Sequence, residues 1–86
     1  MAWEVYMLRC GDGSLYTGCT NRMEQRLAAH ERGLGAKYTR SRLPVALVYR
    51  ESAADRSAAL RREAAVKKLS RQEKQALAES WNKKAP

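Results

Sequence analysis

Apolar positions fall into three short runs and three helical stripes, and the breaks between them lay out the chain. Residues 3–9 mix aromatic, β-branched and large apolar side chains, the composition of a strand. Gly11-Asp12-Gly13 is a turn signal, and residues 14–18 read as the partner strand. A three-residue loop with Gly13 in the left-handed conformation pairs Cys10 with Ser14, Tyr6 with Gly18 and Leu8 with Tyr16. Tyr6 and Tyr16 then become diagonal neighbours on one face, about 7–8 Å apart at the backbone. A two-residue turn slips the register by one and separates them.

A helix is expected from Asn21, where Asn21 and Glu24 approach a capping box, to a stop at Gly33. Met23, Leu27 and His30 share one stripe of it, with Arg26 at the edge. Residues 35–42 read as a basic loop. Residues 45–49 read as a third strand, with Pro44 suited to its start. A second helix is expected over residues 53–69, with Leu60 and Ala64 on its inner face and Ala59 and Val66 on the flank. Ser70 and Glu73 open a third helix that runs through Trp81. The order β-β-α-β-α-α predicts an α+β domain with a three-stranded, mainly antiparallel sheet. Residues 1–82 are expected to form that one domain and residues 83–86 a short basic tail.

Charge narrows the partners. The chain has 86 residues, with 17 Lys+Arg against 9 Asp+Glu, a net charge of +8. That balance favours polyanions, nucleic acid first among them, without separating DNA from RNA. Cys10 and Cys19 lack the spacing of a zinc pair and sit at opposite ends of the expected strand pair. They read as reduced thiols. The N-terminus has no basic region followed by an apolar run, and the apolar stretch over residues 43–49 is too short to span a bilayer. A cytoplasmic protein with no membrane partner is expected.

Four groups of residues carry candidate chemistry. Arg26 and His30, four apart, project from one helix face. Either the guanidinium meets an anion such as phosphate, or it snorkels at the core edge while the histidine is satisfied by the backbone. Glu63 lies within an apolar helical sector, where a carboxylate needs a partner. Lys67, one turn on, and a divalent cation are equal candidates. Strand tyrosines such as Tyr6 and Tyr16 most often pack, and one acting as a base needs a cation nearby. Lys37, Tyr38, Arg40 and Arg42 form a basic segment suited to phosphate contacts.

These residues resemble the GIY-YIG nucleases. Val5-Tyr6-Met7 and Leu15-Tyr16-Thr17-Gly18 look like the two signatures, followed by Thr20, Arg26-Leu27 and His30, and then Glu63 in an alanine-rich helix. The segments 10–18 and 35–41 are similar to small stand-alone bacterial members and to the nuclease domain of structure-specific endonuclease subunits. The resemblance spans residues 3–70. It implies a DNA nuclease of repair or recombination in which Glu63 holds Mg²⁺ or Mn²⁺ and Arg26 neutralises charge on the phosphate. It also implies Tyr6 as general base, Tyr16 near the nucleophile and His30 orienting it, with the choice among the three for the proton left open.

This chain departs from the family pattern in three places. Cys19 stands where several members have lysine. Asn82 is too late for a supporting asparagine, and there is no room for a second DNA-binding module. Those departures keep two rivals in view. One is a non-catalytic nucleic-acid-binding module that delivers a protein partner. The other is a protein-interaction domain with incidental basicity.

Overall fold

A computed structural model describes residues 2–84. Strands β1 (Trp3–Arg9), β2 (Leu15–Thr20) and β3 (Ala46–Ala53) form one sheet in the order β2-β1-β3, with both pairs antiparallel. Helices α1 (Met23–Glu31), α2 (Lys37–Arg40), α3 (Arg56–Lys67) and α4 (Arg71–Lys84) complete the domain. The α+β class and the expected order hold, with α2 as an added helical turn.

The central strand explains the core. Val5, Tyr6, Met7 and Leu8 are all fully buried, so β1 shows no alternation because both its faces are covered. Tyr6 and Leu8 pack with Cys10, Met23 and Val45 against α1. Met7 packs with Val66 and Ala78 against α3 and α4.

The hairpin adopts the register that places both tyrosines on one face. Cys10 N–H donates to Ser14 O at 2.9 Å, and Gly13 has φ 85°. Tyr6 lies opposite Gly18 and Leu8 opposite Tyr16. Asp12 tightens the turn by accepting from Ser14 N at 3.0 Å.

Several element ends differ from expectation, each for a local reason. Strand β2 continues through Thr20, so α1 starts at Met23 rather than Asn21. The Asn21–Glu24 box does not form; the cap position is Arg22, whose N–H donates to Thr20 Oγ1 at 3.0 Å. The expected stop at Gly33 holds: Gly33 has φ 76°, and Leu34 N–H reaches Ala29 O at 2.8 Å. Within the expected basic loop, Thr39 and Arg40 N–H groups both donate to Ala36 O, winding α2. Strand β3 reaches Ala53 rather than Tyr49, because Arg50 on it meets the Glu4 carboxylate on β1 at 2.7 and 2.8 Å.

Helix α3 therefore begins at Arg56, capped by Asp55 accepting from Ala58 N at 2.8 Å. Its rotation also differs. Ala59 and Val66 are its buried residues, whereas Leu60 is 44% exposed and Ala64 faces solvent. The small Ala59 lets the helix lie close to the sheet, and the stripe 59–63–66 turns Glu63 inward. Helix α4 runs past Trp81 to Lys84, so Lys83 and Lys84 of the expected tail are helical. Ala85 and Pro86 lie outside the described residues.

The Ser70–Glu73 capping box forms in both directions. Ser70 N–H donates to Glu73 Oε1 at 2.9 Å and Glu73 N–H donates to Ser70 Oγ at 3.1 Å. Ser70→Ala is expected to lower the unfolding free energy by about 1 kcal/mol, read from the urea midpoint.

Candidate active site

The site begins with a buried relay. Tyr6, His30 and Thr39 have no exposed surface. The Thr39 hydroxyl donates to Ala36 O at 3.0 Å, which leaves its oxygen to accept from His30 Nδ1 at 2.9 Å. His30 Nε2 is then bare and accepts the Tyr6 hydroxyl at 2.8 Å. Two glycines make room. A Cβ on Gly18 would stand 2.6 Å from the Tyr6 hydroxyl oxygen, and one on Gly35 would collide with the His30 ring.

Arg26 supplies the charge. Burial pushes the Tyr6 phenol up to about 12, with the nearby Arg26 guanidinium pulling the other way. Arg26 is held above its ordinary value, chiefly by Tyr6 and also by Tyr16, so it stands beside both phenols as a permanent cation. His30 is pushed down by burial and then by the Arg26 charge, which keeps it neutral. Tyr16 is half-buried; its ring centroid lies 6.4 Å from Tyr6, 5.3 Å from His30 and 6.0 Å from Tyr38. Tyr6, Tyr16, Arg26 and His30 are thus brought together, with Tyr6 innermost.

Glu63 approaches β2 from the opposite face. Its carboxylate accepts from Cys19 Sγ at 3.5 Å and pairs with Lys67 Nζ at 3.4 Å. Burial and then the Glu63 charge push the Cys19 thiol up, so it remains a protonated donor. Both cysteines are free. Lys67, one of the two partners considered for Glu63, pairs with it. Among the described residues no group of three His, Cys, Asp or Glu could hold a metal ion. A cation would take one protein carboxylate and complete its shell with water and phosphate, which suits Mg²⁺ or Mn²⁺. The Glu63 side chain is 18% exposed and that of Lys67 54%, so Lys67 can swing away into solvent.

The basic segment divides. Lys37, Tyr38 and Arg40 are exposed. Arg42 is committed elsewhere: it donates to Asp12 Oδ2 at 3.1 Å and to Tyr38 O at 2.9 Å, and its guanidinium carbon lies 3.9 Å from the Tyr38 ring centroid. It braces α2 against the β1–β2 turn. Thr39 and Gly35 are not among the site residues expected from the sequence. A buried histidine needs two partners, and Thr39 is a hydroxyl in the next polar segment, but no spacing rule joins them.

The GIY-YIG catalytic domain family matches residues 2–76, and the chain belongs to it. The family places the chain in a nuclease superfamily. Relatives within it include UPF0213 proteins. One, DP2720 of Desulfotalea psychrophila, is 49% identical over 83 residues, covering 95% of this chain and 76% of that protein. SH2523 of Staphylococcus haemolyticus is 53% identical over 70 residues, covering 81% and 85%. The solution NMR structure of the protein EF2693 from E. faecalis is similar at a TM-score of 0.63 and 40% identity, over 95% of this chain and 88% of that one. No helix among the described residues is long and apolar enough to cross a membrane.

The depressed His30 gives stability a pH dependence. As pH falls below 6.5, the unfolded chain takes up the imidazole proton before the folded chain does. Stability from this group is therefore level above that value and is lost as pH drops through the lower folded value. Urea denaturation between about pH 7.5 and 5 is expected to show a steeper loss in the wild type than in His30→Gln.

Proposed function

We propose that the chain is a nuclease that hydrolyses phosphodiester bonds in DNA with Mg²⁺ or Mn²⁺, serving repair or recombination. The observation that carries this reading is Arg26, a cation beside two phenols and next to a neutral histidine, in a chain of net charge +8. Membership of the GIY-YIG family supports it.

When bound at Glu63, the cation supplies charge to polarise the phosphate and steady the leaving oxygen. Arg26 grips the phosphate and neutralises the charge that grows on it. Tyr16, the less buried of the two tyrosines, acts in its phenolate form and takes the proton of the attacking water, with the Arg26 cation beside it. Tyr6 is too deep for that role, and its hydroxyl is spent on His30. Tyr6 and His30 instead set the position of the Tyr16 and Arg26 side chains. Lys37, Tyr38 and Arg40 meet the nucleic acid outside the centre, where RNA would offer the same phosphates.

The Lys67–Glu63 pair favours a second reading: a partner-dependent binding module whose carboxylate stays occupied by lysine. Cleavage of end-labelled single-stranded, duplex and branched DNA separates the two. Metal-dependent cutting is expected, lost in Glu63→Gln and reduced about 100-fold or more in Arg26→Ala and in Tyr16→Phe. Circular dichroism checks that each variant is folded. Cutting in Glu63→Gln equal to wild type contradicts the nuclease reading. Salt-sensitive binding with no cutting in any protein supports the module.

A further inference from the structure

A groove of about 380 Å³ opens beside Tyr16, between β2, α2 and the helices α3 and α4. Tyr16 and Tyr38, stacked at 28°, give it an aromatic wall. Lys67 and Lys74 give it positive charge. Thr17 also lines it and is 3% exposed. Among the described residues, the Thr17 hydroxyl is the one buried side-chain polar atom without a hydrogen-bond partner. Native proteins rarely leave such a group alone, so this hydroxyl, closed off beside the groove, calls for a partner of its own. A smaller hollow sharing Leu15, Tyr38 and Lys74 extends the groove towards Arg71.

We propose that this groove is a subsite for one unpaired nucleotide next to the cleavage centre. Lys74 and Lys67 hold its phosphate, and its base packs against the wall that Tyr16 and Tyr38 form. An aromatic platform beside cations is how proteins track single strands, because every base has a π-face to offer. A base inside a duplex has both faces covered by its neighbours. Arg42 acts here as a positioning residue, pinning Tyr38 from the β1–β2 turn. Lys67 is shared with Glu63, whereas Lys74 has no ion-pair partner among the described residues. Lys74 is therefore the cation to test. The subsite rests on the nucleic-acid reading above and names the strand form that the centre takes.

The test is binding, without divalent ion, of a fluorescent oligothymidine strand and of a blunt duplex across a salt series. Tyr38→Ala is expected to weaken strand binding about fivefold or more and duplex binding by clearly less. Tyr38→Phe, which keeps the ring, is expected to bind the strand like wild type. Lys74→Gln is expected to weaken strand binding and make the log–log salt slope shallower by about 0.7. The proposal is overturned if Tyr38→Ala leaves strand binding intact or weakens strand and duplex equally. An unchanged salt slope in Lys74→Gln also overturns it. Wild-type binding of duplex alone overturns the subsite and leaves the nuclease reading standing, whereas binding of neither probe counts against both.

Discussion

A histidine with no exposed surface has two ring nitrogens to satisfy, and the site is arranged around that demand. Leaving either unpaired costs about 1–3 kcal/mol. Tyr6 answers one from the central strand, and Thr39 answers the other from α2. The two glycines that leave space for these rings come from different segments, Gly18 on β2 and Gly35 before α2. One buried imidazole thereby ties β1, β2, α1 and α2 together. The Arg42–Asp12 pair adds a second tie, from the end of α2 to the hairpin turn. That pair is exposed enough that its own contribution to stability is small, so its value lies in where it holds Tyr38.

The two tyrosines show how one residue type is given two roles by its surroundings. Tyr6, on the buried central strand, is held protonated by burial and faces His30. Tyr16, on the edge strand, keeps part of its surface and faces the groove. Both stand beside Arg26, and burial together with that charge keeps His30 neutral. Glu63 reaches the same edge strand from the other side, so β2 is where the two halves of the proposed centre meet. Cys19 gives that carboxylate a neutral donor. Lys67 supplies the positive charge from α3.

Much of this was legible in the chain. The Gly11-Asp12-Gly13 turn set the hairpin register, and the register alone placed Tyr6 and Tyr16 on one face. Ser70 with Glu73 marked the start of α4, and Gly33 marked the end of α1. These are local signals, carried by residues within a few positions of one another. The rotation of α3 was not legible, because Leu60 and Ala59 compete for the inner face. Only packing against the sheet decides for the smaller one. The end of β3 was hidden for a similar reason: Arg50 looks like a strand stop until Glu4, far away in sequence, pairs with it. Thr39 belongs to the same class, since its partner His30 is found through the fold and not through spacing.

The most direct measurement is the protonation of that imidazole. His30 is the one histidine in the chain, so long-range ¹H–¹⁵N correlation spectra of labelled protein near neutral pH report it without ambiguity. The expected result is a neutral ring with its proton on Nδ1 and a bare Nε2. A proton on Nε2 in place of Nδ1, or an imidazolium near neutral pH, contradicts the relay and the placement of both tyrosines that follows from it.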